Sequence, residues 1–477
     1  MLPDVALLEI FDFYVHETWE EGWYTLVHVC QNWRNVVFGS PGRLDLRLYC
    51  KAGTPVMKTL YAWPPLPIVL NVNGFNRFMH TNLDMDDIIT ALKHNDRICQ
   101  SSFSSISSSQ LEMILAAMQQ PFPALTNLTL SPEDETAPVN ADSFLGGSAP
   151  PHLQTLKLSR VPFPGLSRLL SSATDLVSLH LLKIPHSGYI SPEDIVSGLS
   201  VLNRLETLHI GFESPRSRPD QTNQRLPPPT RSLLPVLTEI QFKGVSEYLE
   251  DVVAQIDAPQ LDKLEITFFH QLLFDTPHLA QFIGRTPKFE AYYEARVLFF
   301  SLVVQVKTFD GRLCFEIVCG QSDWQLSSSA QVCGSSLPQA LISTVEDLYI
   351  EDSRRLRGLD DIEDDDIEEA FRRLHGFDDI ESGQWVDLLS PFTGVENLYI
   401  SPKSIPSIAP ALQELPVEKV TEVLPALQTL FLERLPSRPV QEAIEGFISA
   451  RQLVNNPIAV SRWEIDRSES PGSEAFE

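Results

Sequence analysis

A six-residue phrase, apolar-x-x-apolar-x-apolar, recurs nine times and constrains this chain more than anything else in it. It reads Leu125–Leu130, Leu153–Leu158, Leu176–Leu181, Leu205–Ile210, Leu237–Phe242, Leu261–Ile266, Val345–Ile350, Val395–Ile400 and Leu427–Leu432. The first six copies start 28, 23, 29, 32 and 24 residues apart. Apolar and polar residues alternate through the second half of each phrase, the pattern of a strand buried on one face. Between the phrases lie helical stretches with start signals. Ser109-x-x-Glu112 predicts a capping box. Ser191-Pro192-Glu193-Asp194 predicts a capped helix with proline in its first turn and acids at the positive end of its dipole. One strand and one helix cannot hide their own apolar faces, so neighbouring units must stack, and the fold class is α/β, a curved solenoid.

The phrase and its period resemble those of leucine-rich repeats. The resemblance is loose, because the Asn or Cys of that family, three residues after the last apolar position, is missing: Glu133, Val161, Ile184, Glu213, Val245, Phe269, Ser353, Lys403 and Leu435 stand there. In such a solenoid the residues on either side of the middle apolar position point outward onto the concave face. Most are small or polar, as in Asn127 and Thr129, Thr155 and Lys157, Ser178 and His180, Thr207 and His209, Glu239 and Gln241, and Lys263 and Glu265. The last three phrases place Asp347 and Tyr349, Asn397 and Tyr399, and Thr429 and Phe431 there instead. Tyr349, Tyr399 and Phe431 are therefore the substrate-binding candidates, since exposed aromatics anchor interfaces. The alternative is that an acidic helix or the tail covers them.

The N-terminus is built differently. Pro3 and Asp4 open a helix, and Leu7, Leu8, Ile10, Phe11, Tyr14 and Val15 give it a wide apolar stripe. Leu26, Val29, Cys30, Trp33, Val36 and Val37 form a second stripe that packs on the first. Two or three short helices of this length sit at the lower limit of what folds alone, which calls for a partner or a neighbouring domain. Leu2-Pro3-Asp4, Leu7-Leu8-Glu9-Ile10-Phe11, Val29-Cys30 and Trp33-Arg34 resemble the F-box, the motif by which substrate receptors dock on the Skp-type adaptor of cullin-based ubiquitin ligases. The signature opens at Leu2 without the residues that usually precede it, and Val5 stands where an acid is common. The resemblance implies adaptor contacts through Leu2, Pro3, Leu7, Leu8, Ile10, Phe11, Val29, Cys30, Trp33 and Val36. Irregular leucine-rich repeats are found in many F-box receptors.

The chain then divides into an F-box-like module over 1–48, a connector with the first solenoid units over 49–100, an irregular solenoid over 101–460 and a flexible tail over 461–477. Leu44, Leu46 and Leu48 alternate as a strand would. Three stretches break the rhythm. Residues 213–232, rich in proline, read as a long exposed loop. Residues 289–335 fit the repeat poorly, although Phe289-x-x-Tyr292, Val297 to Val306 and Leu313–Val318 read as strands that pair as a meander. The insert 351–381 carries a dense acidic run followed by arginines and Gly376, a helix matched to its own dipole with one apolar face.

Composition narrows function. A net charge of −27, from 63 acidic against 36 basic residues, opposes phosphate-backbone binding and favours a basic protein partner over nucleic acid. Six cysteines without a CxxC pair fit reduced thiols of the cytosol or nucleus. The longest apolar run, around Val297–Val304, is less than half of the roughly 20 residues that span a bilayer, so no membrane role is implied. No G-x-S-x-G, H-E-x-x-H, Walker or dinucleotide motif is present, and His180 and His209 read as face positions rather than bases. The acidic insert lacks the glycine and distant glutamate of a calcium loop. The reading is a non-catalytic substrate receptor without metal or cofactor, joining a Skp-type adaptor and cullin complex to a protein substrate. The competing reading is a repeat scaffold that recruits no ligase.

Overall fold

A computed structural model describes residues 2–463 except 18–21, 51–55, 74–84, 135–137, 141, 216–230, 272, 320–322, 353–381, 417–418 and 434–437. The acidic insert, most of the proline-rich loop and the tail beyond Trp463 therefore lie outside the described residues. The chain forms two compact units, Met1–Leu237 and Thr238–Glu477.

The first unit opens with helices α1 (Asp4–Glu17), α2 (Gly22–Val27) and α3 (Gln31–Gly39). Leu7 and Phe11 of α1, Trp23, Leu26 and Val27 of α2, and Val36 and Val37 of α3 are buried. The Phe11 ring lies 4.7 Å from that of Trp33. Trp23 donates its indole N–H to the Arg47 carbonyl and meets Trp63 edge-on at 5.3 Å, which ties the helices to the first part of the sheet region. Next come strands β1 (Leu48–Cys50), β2 (Ile68–Asn73), β3 (Ile98–Ile106), β4 (Asn127–Pro132), β5 (Thr155–Ser159), β6 (Ser178–Ile184) and β7 (Thr207–Phe212). They pair in chain order, all parallel. A parallel pair needs a crossover, and here it is supplied by helices such as α4 (Ser108–Ala117), α5 (Leu166–Leu170) and α6 (Pro192–Leu199). The strand expected over Leu44–Leu48 begins only at Leu48; Leu44 and Leu46 are buried in turns closed onto the Ser40 and Pro41 carbonyls.

Register turns the repeat into a core. Leu128, Leu156, Leu179 and Leu208 lie side by side, as do Leu130, Leu158, Leu181 and Ile210, and each is at least 95% buried. Each such leucine contributes about 1.5–3 kcal/mol by leaving water, which is why one strand cannot stand without its neighbours.

Among the described residues the main sheet of the second unit has nine strands: β8 (Glu239–Gly244), β9 (Lys263–Phe269), β10 (Glu294–Phe299), β11 (Val303–Thr308), β12 (Leu313–Val318), β13 (Asp347–Asp352), β14 (Asn397–Ile400), β15 (Thr429–Leu432) and β16 (Ala459–Arg462). Their order is β8-β9-β12-β11-β10-β13-β14-β15-β16. β10 to β12 form the antiparallel meander expected between 289 and 335, and the sheet resumes parallel on both sides of it. Two hairpins reverse direction twice, so three strands enter the frame without inverting it. Phe289 and Tyr292 are not a strand: a 3₁₀ turn at Pro287–Phe289 buries both rings below the start of β10.

Polar pins replace the absent side-chain ladder, and each is particular to its place. The cap of α4 is Ser107 with Gln110, two residues earlier than the Ser109 and Glu112 signal, because Ser107 has the extended backbone a cap requires. Ser191 caps α6 as expected, accepting from the Asp194 amide. In the second unit Glu250, on helix α7 (Ser246–Val253), accepts from the His278 and Leu279 amides at the start of α8 (Pro277–Gly284), closing one repeat onto the next. Arg451, wholly buried in α9 (Arg438–Leu453), donates to the Val420, Leu424 and Leu427 carbonyls. The backbone is left-handed at Ser105, Arg160 and Lys183, in or just after the strands, a conformation that residues with side chains adopt at a cost.

Candidate protein-interaction sites

The N-terminal helices split the residues singled out by sequence into two groups. Leu7, Phe11 and Val36 are spent on the module's own interior. Leu8 and Trp33 are half-buried, whereas Leu2, Pro3, Ile10, Val29 and Cys30 are exposed. Helix spacing explains the split: Leu7 and Phe11 sit on one turn-to-turn row, and Ile10 lies about a hundred degrees away from Phe11. The exposed group gains two residues that sequence reasoning passed over, Val5 at 67% and Phe13 at 70% accessibility. They flank Glu9, whose carboxylate meets Arg43 at 2.6 Å, so the outer face of α1 is apolar around one ion pair. A face apolar on both sides of a short helix was legible in the spacing of Val5, Ile10 and Phe13, had the second stripe been sought.

In the first unit the outward sheet positions form two rows. One is Gln100, Asn127, Thr155, Ser178 and Thr207; the other is Ser102, Thr129, Lys157, His180 and His209. The two imidazoles share a hydrogen bond, Nδ1 to Nδ1, of 2.8 Å, and their rings meet edge to face. Such a bond needs a donor on one ring and an acceptor on the other, so the pair holds at most one positive charge while it is made.

In the second unit the row passes through Arg296, Tyr349, Tyr399, Phe431 and Ser461 on successive strands β10, β13, β14, β15 and β16. The expected aromatics are brought together as a stack. Tyr349 and Tyr399 are parallel at 4.2 Å, and Tyr399 and Phe431 at 4.4 Å. Strand spacing, about 4.8 Å, is close to the centroid separation of two stacked rings, so identical register favours this stack. Trp463 lies edge-on against Tyr349 at 5.7 Å and Tyr399 at 5.3 Å, so part of the tail does border the ladder. At the other end the Arg296 guanidinium sits 4.9 Å from the Tyr349 centroid and 5.2 Å from that of Phe309. Phe309 is 62% exposed at the hairpin joining β11 to β12. Arg296 also bonds Glu294 at 2.8 Å and approaches Glu351 at 3.7 Å.

Electrostatics follow from burial and carboxylates. Burial, then the Glu294 charge, raises the Tyr349 phenol well above its ordinary range, and burial with Asp347 raises that of Tyr399. Both stay neutral donors near neutral pH. Burial also raises Glu351, with Arg296 opposing it. Burial pushes the Cys314 thiol up to about 12, and the nearby Glu265 and Glu316 add to the effect, which removes it as a nucleophile.

A cavity of about 30 Å³ beneath the second sheet, bounded by Tyr292, Val306, Phe315, Leu341, Val345 and Phe392, holds no more than a water or two. Among the described residues no group of three His, Cys, Asp or Glu is placed to hold a metal ion. No described helix is long and apolar enough to cross a membrane.

No family model matches the chain. No curated protein matches it either. Among solved structures, the leucine-rich repeat-containing protein LegL7 from Legionella pneumophila is similar to it, at 13% identity over 84% of this chain and 96% of that one, with a TM-score of 0.26. That score gives the likeness no weight, and the α/β fold rests on the strand register described above.

Proposed function

We propose that this chain is a non-catalytic recognition subunit of a cullin-based ubiquitin ligase. Its N-terminal helices dock on a Skp-type adaptor, and its sheet holds a protein substrate through the aromatic ladder. The observation that carries the reading is the outer face of the N-terminal module: after building its own core it still exposes Leu2, Val5, Ile10, Phe13 and Val29, on the segment that resembles the F-box. Apolar surface of that density on a small helical module marks a protein-docking site. Catalysis belongs to an enzyme elsewhere in the complex, and the chain acts by raising the effective concentration of substrate lysines. No cofactor is needed, and the place of action is the cytosol or nucleus.

The test is capture of the chain by purified Skp-type adaptor. Wild type binds, while Ile10→Asp and Phe13→Asp lose at least about tenfold in affinity, since each sets a charge against an apolar interface. Failure of wild type to bind sinks the ligase role. A second reading, a partner-binding scaffold without a ligase, is favoured by the burial of Leu7, Phe11 and Val36, which subtracts three side chains from the docking surface. Under that reading the adaptor is not retained and the ladder still takes its partner.

A further inference from the structure

Two outward cations of the second unit are held between carboxylates, and one of the first unit is not. Lys263 meets Glu239 at 3.2 Å and Glu265 at 2.9 Å, and Arg296 meets Glu294 at 2.8 Å and Glu351 at 3.7 Å. The two outward rows of the first unit, from β3 to β7, hold no carboxylate, although the chain has 63 acidic residues. Lys157 stands at the middle of one of those rows, between Thr129 on β4 and His180 on β6. Thr155 lies two residues before it on the same side of β5, with Ser178 beside Thr155 on β6. Lys157, Thr129, Thr155 and Ser178 each keep part of their surface in water. None of their side chains makes a hydrogen bond or ion pair among the described residues. Glu213, just past the end of β7, is met by Arg160 at 3.8 Å.

We infer that the outward face of the first unit binds an acidic segment of a partner protein, with one Asp or Glu carboxylate set on Lys157 and held by the hydroxyls of Thr129 and Thr155. A half-buried ammonium has given up part of its hydration, and a carboxylate restores the loss with a charge-assisted hydrogen bond. The sign of this face is opposite to that of the chain, whose net charge is −27. Screening lets the face act by its own sign: a surface charge is felt over about 8 Å at physiological salt. Two strands on either side of β5 set about 10 Å of acid-free row around Lys157. One lysine neutralises one carboxylate, whereas a phosphate near neutral pH would bring a second negative charge without a match. Strand register holds Lys157 and its hydroxyl neighbours in place, so little ordering cost falls on the protein when the segment arrives. The face lies apart in sequence from the N-terminal helices and from the aromatic ladder, and needs neither to be a docking site.

The experiment is selection of random dodecapeptides on the full chain, with counter-selection on Lys157→Gln so that only sequences needing the ammonium remain. Survivors carry Asp or Glu at one fixed position. Their affinity falls about tenfold on Lys157→Gln, is kept within about threefold by Lys157→Arg, and drops several-fold on Thr129→Val. It also weakens as salt rises. Thermal unfolding of Lys157→Gln matches wild type, which separates lost binding from lost fold. Absence of survivors, survivors without a fixed acid, or affinity indifferent to salt overturns the proposal. A tenfold gain when phosphoserine replaces the fixed acid overturns it too, because the ligand is then a phosphate.

Discussion

The two units carry the same strand phrase and finish it differently. In the first, the outward rows are mostly Ser, Thr, Asn and Gln, with one His pair. In the second, the same register positions hold charged and aromatic residues that touch one another across strands. The inward rows scarcely differ, being Leu, Ile, Val and Phe in both units. A parallel sheet thus separates two tasks. Alternation lets the buried face fix the fold while the outward face is free to vary, because successive side chains never share a side. The second unit uses that freedom to stack Tyr349, Tyr399 and Phe431 across three strands.

The contrast has measurable consequences, and hydrogen–deuterium exchange reads the units separately because each opens with its own free energy. Arg451→Met has the largest effect. It strands three buried carbonyls, each costing about 1–3 kcal/mol without a donor, so the last repeats of the second unit should lose on the order of 4 kcal/mol while the first unit exchanges as before. Unchanged protection over 420–432 would show that the cation is dispensable.

The ladder comes next. Tyr399→Ala removes the central ring and both its stacks, each worth about 0.5–1.5 kcal/mol beyond area, for a total of roughly 2 kcal/mol or more. The matched change on the outward face of the first unit, Lys157→Ala, should cost less than about 0.5 kcal/mol. Urea unfolding of the two variants compares them, and equal costs would erase the distinction between the faces.

Glu250 gives an effect of pH. Burial raises its folded pKa above the ordinary value despite two amide donors, so the native state binds that proton more tightly than the unfolded chain does. Its contribution is full below the ordinary glutamate pKa and declines as pH rises through the raised one. Wild type should therefore gain stability relative to Glu250→Gln as pH falls from about 7 to about 5. Urea titrations of both proteins at the two pH values check it, and a constant difference between them would mean that Glu250 keeps its ordinary pKa. The smallest effect concerns the strand ends. Lys183→Gly relieves a left-handed residue and should raise the stability of the first unit by up to about 1 kcal/mol, as thermal unfolding would register.

Much of this architecture was legible in the letters. Apolar spacing located β4 to β9 and β13 to β15, and the three aromatics on the outward face, because period and register follow from side-chain alternation. The caps and breaks were less so. Ser107 beat Ser109 as a cap because a cap is chosen by backbone shape, which spacing does not carry. Phe289 and Tyr292 resembled a strand because a turn that buries two rings has the same apolar content. Helices α2 and α3 showed one stripe where the module needed several contacts, and Trp23, the best-buried ring of that module's second helix, went unnoticed for lack of periodic neighbours.

What the sequence determined by itself is the repeated strand, the acidic character and the outward placement of Tyr349, Tyr399 and Phe431, since each depends on local periodicity or on composition. Tertiary structure decided which partners those residues meet. Arg296 and Phe309 lie 40 and more residues before Tyr349, and Trp463 lies more than 60 after Tyr399, brought to one stack only by a meander that keeps the sheet in register and by the last strand pairing beside β15. Distance along the chain says nothing of such meetings. They are set by strand order, and strand order is a property of the assembled core.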